Sequence, residues 1–171
     1  GSPYTVAWVD CLAGGARLGR GLFTRARHSD TGGLEVHRER SAVRVPADAP
    51  AGLLSSPIVR GFNLVYAHRP GAVGPRRLHY DRFLYPLDRI GDWNRLYGRR
   101  GFYQHQSVVP MADAPKALRR LLEATAGERQ GSFLVVLKLF GRRASPGILS
   151  FPMEGATFAL DLPNRGERPR T

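Results

Sequence analysis

The chain has 171 residues, 42% of them hydrophobic and 23% charged, which suits one domain able to bury about 70% of its unfolded surface. No apolar run reaches the about 18 residues that a membrane-spanning helix needs. The single cysteine, Cys11, excludes an internal disulfide framework and any multi-thiolate metal site. Charge is the unusual total: 26 basic against 14 acidic side chains give +12, and only Lys116 and Lys138 among the basic ones are lysine.

Arginine forks suit phosphate, so one reading of the excess is a polyanionic partner and the other is charge spread over solvated faces. The arginines are scattered from Arg17 to Arg170, and the aromatic residues sit mostly in apolar strands. That is unlike a base-stacking platform, and no nucleic-acid partner is expected.

In chain order, Gly1-Ser2 reads as the remnant of a tag, and no charged-then-apolar leader follows it. The expected location is therefore cytoplasmic or membrane-peripheral. Tyr4–Val9 reads as a strand, with Tyr4, Val6 and Trp8 alternating against Thr5, Ala7 and Val9. Gly14-Gly15 breaks it, and Gly21–Ala26 is a plausible antiparallel return. From His28 to about Ser56 the periodicity fails, and a long loop is expected. Ile58, Phe62, Val65 and Tyr66 predict a helix over Ile58–His68, ended by a Pro-Gly turn at 70–71. His79–Tyr85 reads as a strand, and Pro86–Arg100 is polar and punctuated by glycine.

The second half is clearer. Phe102–Val109 is a strand stopped by Pro110. Asp113 is placed to cap a helix with Pro115 in its first turn, Leu118, Leu121 and Leu122 on one face, and Gly127 beyond its end. Phe133–Phe140 is an almost wholly apolar strand, and Ile148–Phe151 and Phe158–Leu162 supply two more. Strand, helix, strand, strand with short turns predicts an α+β fold, an antiparallel β-sheet with helices packed on one face. Pro3–Pro163 forms the domain, and Asn164–Thr171 is expected to be a flexible basic tail. Ser29–Ser56 and Pro86–Arg100 are expected to be its most mobile internal segments, since few buried contacts would hold them.

Catalytic signatures are missing: GxGxxG, GxxxxGK[ST], HExxH and GxSxG are all absent. The histidines are isolated, so no metal site is expected. Cys11 reads as a small hydrophobe. Two features stand out. Alternation puts Gln104 and Gln106 on one strand face, where amides can read sugar hydroxyls or simply meet water. Lys138 shares a face with Leu134, Val136 and Phe140, a cation on an apolar wall. It either snorkels to water or lines an amphipathic pocket.

Blocks in sequence carry a resemblance: Tyr4-Thr5-Val6-Ala7-Trp8-Val9-Asp10, Tyr85-Pro86-Leu87-Asp88, Gly91-Asp92-Trp93-Asn94-Arg95 and Gly101-Phe102-Tyr103-Gln104-His105-Gln106. They continue with Ser132-Phe133-Leu134, Lys138-Leu139-Phe140-Gly141, Leu149-Ser150-Phe151-Pro152 and Asp161-Leu162-Pro163. This succession resembles the substrate-binding (cap) domain of the decaprenylphosphoryl-ribose oxidase family, FAD-linked oxidases of the vanillyl-alcohol-oxidase type. It is weakest between His28 and Arg77.

The resemblance implies a middle domain, with the FAD-binding domain of the same chain as its partner and FAD held mainly outside this segment. It implies a parent oxidoreductase that oxidises a sugar carbinol, with a sugar substrate that is lipid-phosphate linked, and no catalytic residue in the segment itself. By the resemblance, Gln104, Gln106 and Lys138 line the substrate cavity, Lys138 facing the flavin edge as well. Leu134, Val136 and Phe140 are apolar neighbours in the same wall, and Pro86–Arg100 matches a loop that closes over the cavity. Thr157, Ala159 and Leu84 stand where the mycobacterial member has asparagine, cysteine and tyrosine, so the cavity differs in polarity there. The alternative reading, from another class, is a stand-alone binding module for phosphorylated or acidic ligands.

Overall fold

The computed structural model describes residues 2–33, 43–50, 52–68, 74–85, 90–128, 131–144 and 146–166. Strands β1 (Tyr4–Val9) and β2 (Gly21–Ala26) form the expected antiparallel hairpin. Helix α1 runs over Ser56–His68, opening two residues earlier than periodicity indicates. A two-residue β3 (Val43–Arg44) pairs in parallel with β4 (Ile90–Gly91) as a separate small ladder. Between these lies the short helix α2 (Tyr80–Leu84). The chain closes with β5 (Phe102–Val109), α3 (Ala114–Gly127), β6 (Val135–Phe140) and β7 (Gly155–Pro163).

The main sheet has the order β2-β1-β6-β7-β5, with antiparallel pairing throughout. Strands β5 and β6 run in the same direction, so a helix must carry the chain between them, and α3 does so. Strand β7 then inserts between the two. That central position explains its burial: Ala156, Phe158 and Leu160 are within 5% of full burial. At its start Gly155 approaches β5 so closely that a Cβ would stand 2.2 Å from the Val109 carbonyl oxygen.

The core gathers Val9, Cys11, Leu12, Val59, Leu122, Val135, Phe158 and Leu160, with Leu118, Leu121 and Leu137 packed against it. Helix α3 thus lays its Leu118, Leu121 and Leu122 face on the sheet, and α1 adds Val59. The aromatic rings of α1 continue the packing, Tyr66 lying 4.7 Å from Trp8 and Phe62 5.9 Å from Phe133 between ring centroids. Cys11 is fully buried, exchanging hydrogen bonds with the Ser132 backbone through Sγ, and burial raises its thiol pKa to about 11. It is therefore a protonated core residue at neutral pH. Among the described residues no helix is long and apolar enough to cross a membrane.

Several sequence expectations need correction. His79–Tyr85 is not a strand: Tyr80, Phe83 and Leu84 also fit helical spacing, and Tyr80–Leu84 winds into α2. Ile148–Phe151 is not a strand either. Ile148 and Leu149 sit in a turn at 100% and 97% exposure, because flanking Pro146, Gly147 and Pro152 deny the run a ladder partner. Asp113 makes no side-chain cap; its backbone is already helical and its carbonyl accepts from Ala117 N at 3.0 Å. Gly127 is the last helical residue rather than the one beyond. The turn expected at 70–71 lies outside the described residues.

Residues 90–100 are held by more contacts than their composition indicates, and residues 86–89 lie outside the described residues. Trp93–Tyr97 forms a 3₁₀ helix whose Tyr97 is 7% exposed. Tyr97 packs on Phe102 at 4.5 Å and on Phe133 at 5.5 Å, and Trp93 on Phe102 at 5.3 Å. Backbone bonds tie this segment to the earlier one, with Val45 N donating to Gly91 O at 3.0 Å and Ala49 N to Arg95 O at 2.8 Å. Gly98, at φ +68°, lets the chain turn where a Cβ would meet the Ala49 carbonyl oxygen at 2.8 Å. Beyond β7, Asn164 N donates to Gly101 O and Arg165 to Leu54 O, while residues 167–171 lie outside the described residues.

Candidate functional site

Cross-strand partners share a face, and side chains alternate along each strand. Register pairs Gln104 with Asp161, Gln106 with Ala159, and Val108 with Thr157. It pairs Val136 with Ala159, Lys138 with Thr157, and Trp8 with Val136. Gln104, Gln106, Val136, Lys138, Thr157, Ala159 and Asp161 therefore lie on one face, opposite to Val135, Leu137, Phe158 and Leu160. Phe140 ends β6 on the same parity, and Leu134 continues it just before the strand. Leu84 is not among them: it ends α2, off the sheet.

This face carries a polar layer. Gln104 Nε2 donates to Asp161 Oδ1 at 2.9 Å, and Gln106 Nε2 to Thr157 Oγ1 at 3.4 Å. Thr157 and Asp161 are each 1% exposed, whereas Gln104, Gln106 and Lys138 are exposed. The inner pair thus holds the outer amides by their N–H groups, leaving the amide oxygens to accept from a hydroxyl. Lys138 has no carboxylate partner among the described residues.

Two groups that sequence reasoning missed close one end of this face. Asp161 Oδ2 is buried without a hydrogen-bond partner, and the Tyr97 hydroxyl is buried as well. Burial pushes the Asp161 carboxyl above its ordinary range, and the Gln104 bond pulls it partly back. Burial also raises the Tyr97 phenol, helped by the negative charge of Asp161. The parity of Asp161 with Thr157 and Ala159 was available in the sequence. Nothing local signalled that Tyr97, from the aromatic cluster it forms with Trp93, Phe102 and Phe133, would come within reach of the Asp161 charge.

The fold and this face define an α+β domain that packs a helix-backed apolar side into its core and presents a polar side carrying Lys138, a cation with no carboxylate partner among the described residues. The resemblance read from the sequence is matched by a named relative: over 168 residues the chain is 28% identical to decaprenylphosphoryl-beta-D-ribose oxidase of Mycolicibacterium smegmatis, covering 94% of this chain and 36% of the relative. It is also 31% identical over 175 residues to an uncharacterized protein in the mprA 5' region of Streptomyces coelicolor, covering 95% of this chain and 47% of that protein. The chain spans about a third to a half of the length of these curated relatives. No family model matches it.

Proposed function

We propose that this chain is the substrate-binding (cap) domain of an FAD-dependent oxidoreductase that oxidises a carbinol of a sugar or polyol, of the prenyl-phosphoryl pentose kind. The observation that carries the reading is the gathering of Gln104, Gln106, Val136, Lys138, Thr157 and Ala159 on one sheet face. Exposed amide acceptors beside apolar Val136 and Ala159 suit a ligand with hydroxyls and a hydrocarbon edge. The similarity to an oxidase named for a decaprenylphosphoryl ribose supports the same class.

An FAD cofactor fits this face at one point. Lys138 is an exposed ammonium without a carboxylate partner among the described residues, the type of group that stabilises an electron-rich ring edge. When bound, FAD would supply the hydride acceptor. The chain's own part is to orient the sugar through Gln104 and Gln106 and to exclude water with Val136 and Phe140. Thr157 and Ala159 set how much polarity the wall presents, and with it which sugar is accepted. The partner in this reading is the FAD-binding domain of the same polypeptide.

The test is anaerobic mixing of the complete flavin-loaded polypeptide with a short-chain prenyl-phosphoryl ribofuranoside or with free pentitols, following flavin absorbance. Bleaching by either supports the reading. No bleaching by both overturns it.

A further inference from the structure

A cleft of about 340 Å³ opens beside the β1–β2 connection and the start of α1 and shares no residue with the polar face. Its charged lining is Asp10, Arg17, Arg20 and Arg60, with apolar surface from Leu12 and Leu64. Asp10 is saturated. Its Oδ1 accepts from Leu12 N at 3.1 Å and from Asn63 Nδ2 at 2.8 Å, and its Oδ2 accepts from Arg20 at 2.5 Å. Arg20 thereby cancels the one negative charge in the cleft, yet its Nε stays buried with no acceptor. Arg17 and Arg60 are exposed and have no acidic partner among the described residues. Three guanidinium groups against one carboxylate leave two positive charges around one cavity.

We propose that this cleft binds a phosphoryl group. Like charges facing one cavity repel, and an anion bound between them relieves the repulsion. A carboxylate carries one charge and two oxygens. A phosphate monoester carries close to two charges and enough oxygens to meet both free arginine forks together. Leu12 and Leu64 border the same space, so the phosphoryl group comes either free or on a hydrocarbon chain.

The experiment is calorimetric titration of the chain with inorganic phosphate, octyl phosphate and the neutral amphiphile octyl glucoside, at constant ionic strength. The chain is compared with an Arg17→Gln/Arg60→Gln variant and with an Arg25→Gln/Arg27→Gln control, on and just after β2, that removes equal charge elsewhere. Saturable phosphate binding is expected, weakened about tenfold or more in the cleft variant and unchanged in the control. Tighter binding of octyl phosphate than of phosphate identifies an amphiphile's headgroup as the source, and equal binding a free phosphate. The proposal is overturned if no saturable phosphate binding occurs, if both double variants weaken it equally, or if octyl glucoside binds as well as octyl phosphate. Arg20 is left intact in these variants because removing it would strand the buried Asp10.

Discussion

Along β7 the two faces are equally buried and chemically opposite. Ala156, Phe158 and Leu160 point into the helix-backed core, while Thr157 and Asp161, as fully covered, point into a polar layer held by two glutamines. Burial alone therefore does not distinguish scaffold from site here. What distinguishes them is whether the covering group is apolar and fixed, as with Leu122, or polar and exposed, as with Gln104. The first face should respond to mutation in stability, and the second in binding and in pH dependence.

The largest expected effect lies on the apolar face. Phe158→Ala removes a 1% exposed ring from the middle of the core and should cost about 3–5 kcal/mol in denaturant unfolding. A cost below 1 kcal/mol would mean that β7 is not the centre of the fold.

On the opposite face Asp161→Asn should stabilise the domain at neutral pH. A folded-state carboxyl pKa raised by burial means that the folded protein binds the proton more tightly. The stability this proton contributes is full below the ordinary carboxylate pKa and is lost as pH rises through the raised value. The variant and the parent should thus agree in acid and diverge as pH rises. The plateau difference reports the cost of burying the carboxylate charge, which the asparagine does not carry. Parallel pH–stability curves would contradict this.

A smaller effect is expected from Gln104→Leu. It removes the donor that partly offsets the upward shift of Asp161, so the decline in stability should move to higher pH. The lost bond itself should cost about 0.5–1.5 kcal/mol, less than the Phe158 cavity. The smallest expected signal concerns Cys11. With its thiol pKa at about 11 and the side chain fully buried, alkylation in the native state should be far slower than in denaturant. Equal rates would show that the Ser132 contact opens.

Periodicity made most of the fold legible. Tyr4–Val9, Gly21–Ala26 and Phe102–Val109 were readable to the residue because each alternates or is bounded by glycine or proline. Tyr80–Leu84 misled because a short aromatic run fits both periods, and no sequence feature says that a strand will lack a partner. Tyr97 lay in a segment read as loop because its anchors, Phe102 and Phe133, are supplied by the tertiary fold. The shared face of Gln104, Gln106 and Lys138 required knowing that β7 inserts between β5 and β6, which is topology and not periodicity. The arginine cleft was invisible for the same reason, since Arg17 and Arg60 meet only across the β1–α1 packing.

The central claim is that the polar face of the sheet is a substrate wall. Its most direct test is Lys138→Met in the complete flavin-loaded polypeptide, with unfolding and substrate-dependent flavin reduction measured on the same preparation. The substitution keeps the stem volume and removes an exposed charge with no carboxylate partner among the described residues, so the unfolding midpoint should stay unchanged. A charge-assisted contact contributes about 1.5–3 kcal/mol, so the rate of flavin reduction should fall by roughly ten- to a hundredfold. An unchanged reduction rate, or a domain that no longer folds, would make Lys138 a structural residue and contradict the account.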